Sequence, residues 1–329
     1  MTDDRPLAVE LIGVSKRFGA VHAVRDISFA IRRGEICVLI GPSGCGKTTT
    51  LKMINRVIEP TQGSIRVHGE DTANKDPVLL RRGIGYVIQQ VGLFPHMSVA
   101  ENIAIALRLQ RIPKAKRRER ASDLLELVGL HRELLDRRPS ELSGGQQQRV
   151  GVARALAGDP DIILMDEPFG AVDPLLRPQL QAELRRLQRR LQKTIVLVTH
   201  DLSEAFAVAD WIVLMRAGEI LQQGTPRELL QSPNSPFVRE FLADVRVTDV
   251  LRLTAVRDVP RSQGAAALAG PAVSEEASLL DALRILSTHT DERPGGLVVV
   301  GADGSPRGAI TVSDVLVAVA AALFKGSGT

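Results

Sequence analysis

The chain has 329 residues, 44% of them hydrophobic and 24% charged, with a net charge of +4. This is the composition of an ordinary globular protein, long enough for one large domain and a smaller one. Aromatic residues make up only 3%, which argues against base-stacking surfaces for nucleic acid, and two cysteines exclude a disulfide framework. The opening MTDDRPLAVE is acidic and lacks the apolar stretch of a secretory signal. The late apolar run Val315–Phe324 falls well short of the roughly 20 residues a membrane span needs. A cytoplasmic protein is expected, with any membrane partner on another polypeptide.

Taken in order, Leu7 to Ile31 alternate and predict two strands joined near Gly19. Glu35–Gly41 is an apolar strand ending in glycine, and a helix follows to about Asn55. IGYVIQQ predicts another strand. From Ser98 to about Ala157 the period becomes helical, in SVAENIAIALRL, RRERASDLLELVGL and the segment after Gly145. DIILMDE reads as a buried strand, Pro174–Leu191 as an amphipathic helix, and TIVLVTH as a further strand. This alternation implies a mostly parallel sheet covered on both faces. After Phe241 the character changes. Pro260–Ala272 predicts a loop, SLLDALRILS a helix, GLVVVGADG a strand and turn, and GAITVSDVLVAVA a strand and helix.

The segment GPSGCGKTT places Gly41, Ser43, Gly44, Cys45, Gly46, Lys47, Thr48 and Thr49 between an apolar strand and a helix. That is the context of a phosphate-binding loop. Its glycines let backbone N–H groups face phosphate oxygens, and the helix start adds a favourable dipole. Lys47 is expected at the β and γ phosphates, and Thr48 at Mg²⁺. Cys37 and Cys45 read as packing choices. Asp166 ends an apolar strand, at the sheet edge where open α/β sheets bind ligands, and suits Mg²⁺. Glu167 is the candidate base for the attacking water; an acidic pair after a strand is otherwise a helix cap. His200 closes TIVLVTH, where it can sense a γ-phosphate and orient Glu167. Gln89 closes IGYVIQQ and is a candidate for Mg²⁺ or water, or else a strand-end cap. Phe18 precedes Gly19, as an adenine-stacking face or as core.

The ordered set of Phe18, the phosphate loop, Gln89, LSGGQ, Asp166-Glu167, Asp173 and His200 resembles the nucleotide-binding subunits of ABC transporters, over about Leu7 to Ala243. The resemblance implies an α/β, P-loop NTPase fold of ABC type over residues 1–243, with a helical subdomain over about 91–157. It implies ATP and Mg²⁺ as cofactors, with Thr48, Gln89 and Asp166 at the metal. It also implies a head-to-tail homodimer, in which Ser143, Gly144, Gly145 and Gln146 contact the γ-phosphate held on the partner's loop and Asp173 links the two sites. Glycine N–H groups at a helix start suit that role. Gly85–Asn102 is similar to importers of quaternary-amine osmoprotectants such as glycine betaine, carnitine and choline. Expected partners are integral membrane permease subunits and, indirectly, a substrate-binding protein, with the chain on the cytoplasmic face of the inner membrane and no nucleic acid bound. Residues 244–329 comprise a linker and a segment over about 254–320 that resembles a single CBS module, a small α/β domain. There Thr311 and Asp314 match nucleotide-contacting positions, and a dimerising tail is the other reading. An importer of another small solute, an amino acid or polyamine, is the nearest alternative. A non-transport ABC ATPase acting on nucleic acid is a further one, although such proteins usually fuse two ATPase halves.

Overall fold

The computed structural model describes residues 5–89, 92–170, 172–243, 245, 247–259, 270–288 and 296–324. The first part of the loop expected over Pro260–Ala272 lies outside the described residues, as do Gln90, Val91 and Ala171. The backbone forms two compact units, Met1–Thr225 and Pro226–Thr329. The boundary expected near Ala243 lies within the second.

The first unit opens with an antiparallel pair, β1 (Leu7–Phe18) and β2 (Val21–Arg32), joined through Gly19. The strand β3 (Ile36–Ile40) is buried at every position and runs into α1 (Lys47–Ile54). β4 (Gln62–Val67) and β5 (Glu70–Asp71) return to the opening pair, giving a four-stranded antiparallel sheet in the order β2-β1-β4-β5. Then follow α2 (Pro77–Arg82) and β6 (Ile84–Val87). A helical region comes next: α3 (Val99–Ile103), α4 (Ile105–Leu109), α5 (Lys114–Leu127) and α6 (Gly144–Leu156). β7 (Ile162–Asp166), α7 (Arg177–Leu191), β8 (Thr194–Val198), α8 (Leu202–Val208), β9 (Trp211–Arg216) and β10 (Glu219–Gly224) complete the unit.

The larger sheet has six strands in the order β10-β9-β3-β8-β7-β6. All its pairings are parallel except that of β9 with β10. β3, β7 and β8 are buried along their whole length, which is why they read as unbroken apolar runs rather than alternating ones. Each buried Ile, Leu or Val contributes about 1.5–3 kcal/mol over leaving it exposed. The register sets Leu39 beside Val198, Val198 beside Asp166, and Met165 beside Val87. Four neighbouring strands therefore end level, and the residues that follow them emerge along one edge.

Three predicted elements differ in detail. The segment expected as one helix from Ser98 bends at Ala104, where ψ opens to 4°. Ile103 and Leu107 on either side of the bend are both buried. The helix expected from Pro174 starts at Arg177, because the Asp173 carboxylate accepts from the Leu175 N–H at 2.8 Å and holds a turn instead. The strand IGYVIQQ stops at Val87, level with the end of its partner β7.

The second unit contains α9 (Pro226–Gln231), α10 (Pro236–Leu242), α11 (Val247–Leu253), β11 (Ala272–Ser274), α12 (Leu279–Thr288), β12 (Leu297–Val300), β13 (Pro306–Ile310) and α13 (Val312–Phe324). Its sheet is β11-β12-β13, parallel then antiparallel. Val256, Val273, Leu279, Leu297, Val299, Ile310 and Val315 form a core of their own.

Candidate active site

The phosphate loop is shaped by glycines that nothing larger can replace. Gly41 has φ 147°, and a Cβ there would lie 2.0 Å from the Met215 carbonyl oxygen. Gly46 has φ 106°, and its Cβ would lie 2.6 Å from the Ala23 carbonyl oxygen. Both values fall where only glycine is comfortable. The loop is thus clasped by β2 on one side and β9 on the other, with a further tie from the Gly218 N–H to the Cys45 carbonyl at 3.1 Å. Ser43 and Gly44 are exposed at its tip, and Cys45 is buried beneath.

Lys47, the first residue of α1, is 6% exposed. Its ammonium donates to the carbonyls of Gly41 at 2.7 Å and Pro42 at 3.1 Å. The Thr48 hydroxyl donates to Asp166 Oδ1 at 2.8 Å, joining α1 to the end of β7, while Thr49 is half-buried beside it. Burial holds the Asp166 carboxyl above the usual carboxylate range, against the Thr48 hydrogen bond and the charge of Lys52.

Glu167 occupies the left-handed region at φ 46°, an uncommon and strained conformation for a residue with a side chain. Its backbone N–H donates to Val198 O at 2.9 Å, and its carbonyl accepts from the Gly170 N–H. This turn directs the carboxylate between two partners. Gln89 Nε2 donates to Oε2 at 2.8 Å, and His200 Nδ1 lies 3.2 Å from Oε1. The helix-cap reading of the acidic pair does not apply, since α7 begins ten residues later with no side-chain cap. Gln89 likewise reaches across to Glu167 rather than capping its own strand. Asp166, Glu167, Gln89, His200, Lys47 and Thr48 therefore converge from four adjacent strand ends.

Phe18 is half exposed, with the Lys16 ammonium 5.0 Å above its ring, so it is a surface face and not core. Ser143 caps α6: its Oγ accepts from the Gln146 N–H, and the Gln146 side-chain oxygen accepts from the Ser143 N–H. This presents Gly144 and Gly145 as the first turn of a thirteen-residue helix. Ser143–Gln146 and Asp173 bond within their own turns.

Two residues without a motif also shape the site, and a third, Asn102, shapes the Phe94–Ser98 turn. Asn102 is fully buried and staples the preceding turn. Its Oδ1 accepts from the Phe94 N–H at 2.7 Å, and its Nδ2 donates to the Phe94, Met97 and Ser98 carbonyls. The capping box of Ser98 and Glu101 is its only sequence signal. Arg177 and Glu204 flank the turn after Glu167, and no local pattern marks them.

Residues 24–170 match the family of ABC transporters. Over 305 residues the chain is 48% identical to the glycine betaine/carnitine/choline transport ATP-binding protein of Bacillus subtilis, covering 92% of this chain and 78% of that one. It is 47% identical over 310 residues to the glycine betaine uptake system ATP-binding protein of Escherichia coli, covering 94% and 99% respectively. Among solved structures, a dimeric ATP-binding cassette in a post-hydrolysis state with ADP and Pi is 34% identical, with a TM-score of 0.60, covering 66% of this chain and 98% of its own. A phosphate loop braced by its neighbours and an acidic pair held between a glutamine and a histidine, joined to these matches over most of two whole chains, place this protein among the ATP-hydrolysing subunits of ABC transporters, in the group with the glycine betaine, carnitine and choline transport proteins.

Proposed function

We propose that the chain hydrolyses ATP to drive import of a quaternary-amine solute, of the glycine betaine, carnitine or choline type, through a separate membrane permease. The observation that carries the chemistry is the Glu167 carboxylate, turned by a strained backbone and held between Gln89 and His200. Glu167 accepts a proton from water as that water attacks the γ-phosphate, and His200 holds the carboxylate and the phosphate in line. Lys47 and the N–H groups of Gly44–Thr49 bind the phosphates, and Phe18 offers a flat face to the adenine. The names of the relatives support the cargo.

Thr48 and Asp166 fit a magnesium ion. Their oxygens lie 2.8 Å apart, and the buried Asp166 carboxylate favours a neighbouring cation. Thr48, Asp166 and Gln89 would hold the ion, which supplies charge neutralisation on the phosphates.

The chain acts as a head-to-tail homodimer in this reading. Two features support it: the dimeric state of the solved relative, and the exposure of the Ser143 helix start and of Asp173. The Gly92–His96 loop, with Phe94 40% exposed, is the surface that meets the permease at the inner face of the membrane. No described helix is long and apolar enough to cross a membrane. The strand–helix–strand–strand–helix order of β11 to α13 supports a CBS-like module, which pairs between chains. Thr311 and Asp314 close its last helix start on each other at 2.8 Å.

Two experiments test this reading. Glu167→Gln should lower ATP turnover by roughly two or more orders of magnitude while retaining ATP binding; near-normal hydrolysis removes Glu167 from the base role. Reconstituted with its permease in vesicles, the protein should drive ATP-dependent uptake of radiolabelled glycine betaine or choline. Uptake of an amino acid or polyamine instead would reassign the cargo.

A further inference from the structure

Glu167 and His200 sit on different strand ends, yet their side chains meet within 3.2 Å. The β7–β8 pairing carries the two segments together as far as Asp166 and Val198, with the Glu167 N–H on the Val198 carbonyl; beyond that point side chains join them. A second bridge joins the same segments, and Arg177 is its centre. Its Nε donates to the Val172 carbonyl at 3.1 Å and its Nη2 to the Gly170 carbonyl at 3.4 Å. Its own N–H donates to the Asp173 carbonyl. One residue thereby holds Gly170, Val172 and Asp173, just after Glu167. The remaining face of the guanidinium, Nη1, lies 3.8 Å from both Asp201 and Glu204.

Glu204 is 3% exposed, on α8. Its Oε2 accepts from the Thr199 hydroxyl at 2.6 Å. The same hydroxyl accepts from the Asp201 N–H at 3.0 Å, and Asp201 in turn accepts from the Glu204 N–H at 3.1 Å. His200 lies between Thr199 and Asp201, so its backbone is held on both sides. The contacts close a ring: Glu167 to His200, through Thr199 and Asp201 to Glu204, to Arg177, to the Gly170 carbonyl, and by the Gly170 N–H back to Glu167.

We propose that Arg177 is a positioning residue, which with Glu204 locks the His200 segment to the Glu167–Asp173 turn so that the carboxylate and the imidazole share one geometry. The guanidinium is suited to this and an ammonium is not. It offers directed N–H groups to two carbonyls while presenting charge to two carboxylates, whereas lysine is a point charge. Among the described residues Glu204 makes no hydrogen bond or ion pair with the phosphate loop, and it acts through this ring. The inference rests on the reading of Glu167 and His200 as the hydrolytic pair.

The test is steady-state ATP hydrolysis by full-length Arg177→Lys, Glu204→Gln and the double variant, with ATP-binding stoichiometry measured by equilibrium dialysis. Each single change should lower kcat by about 10- to 100-fold, the scale of a small misplacement of reacting groups. KM should stay within about two-fold and binding stoichiometry should remain full. The double variant should be no slower than the slower single one, because both break one ring. Wild-type kcat in Arg177→Lys overturns the proposal. Defects that multiply overturn it too, as does a rate loss matched by lost binding stoichiometry, which would leave Arg177 as fold support. His200→Ala separates the two levels. A wild-type rate there removes the hydrolytic pair and this inference with it, whereas a slow His200→Ala beside a normal Arg177→Lys overturns the coupling alone.

Discussion

Single residues in this site are constrained mostly by what stands behind them. Gly46→Ala places a methyl 2.6 Å from the Ala23 carbonyl at a φ of 106°. The phosphate loop must then open or β2 must shift, at a cost above about 2 kcal/mol. The expected outcome is lost ATP binding together with a lower melting temperature, read by calorimetry with and without nucleotide. Glu204 gives a pH signature. Burial raises its carboxyl above the ordinary 4.5, with the Thr199 hydrogen bond opposing. The folded state therefore binds more protons than the unfolded one above that pH, and this group's contribution falls as pH rises through the folded value. Glu204→Gln should be less penalised at pH 7 than at pH 5 in urea unfolding; a pH-independent difference would remove this titration from the stability profile. Lys47, Thr48 and Asp166 were legible because their chemistry is written in contiguous motifs. Arg177 and Glu204 were not, since their meeting depends on the register of β7 against β8.

At the scale of elements, the helical region earns its place through Asn102. One buried amide bonds four backbone groups of the Phe94–Ser98 turn. The Phe94 and Ser98 carbonyls also accept from the Met97 and Asn102 backbone N–H groups, so Asn102→Ala strips the Phe94 N–H and the Met97 carbonyl of their partner, at about 1–3 kcal/mol. The isolated chain should still hydrolyse ATP near the wild-type rate, while solute uptake with the permease falls. Equal uptake at equal expression would show that the turn's shape does not matter to the permease. The sheet itself was readable from its apolar runs and turn residues. The split between α3 and α4 was not, because a bend at a buried alanine carries no composition signal. The pair β9 and β10, of which β10 is the sheet edge, carries no motif; it sets Met215 and Gly218 against the phosphate loop.

For the whole molecule, the second unit has its own core and contributes none of the site residues. Ending the chain after Thr225 should leave ATP hydrolysis within about three-fold, as expected for a separate domain. It should alter how uptake in vesicles responds to salt or adenine nucleotides. An unchanged response across a salt series would make the unit a structural appendage. The sheet order also has a bearing on biosynthesis. β8 is seated between β3 and β7, yet it is the last of the three to leave the ribosome. Until Thr194–Val198 emerges, β3 and β7 each carry an open apolar edge, the kind of surface that recruits other chains. Non-local pairing of this kind is slow as a rule, and transiently open strand edges favour aggregation. Because the same strand delivers His200, the Glu167–His200 contact can form only as that edge is covered.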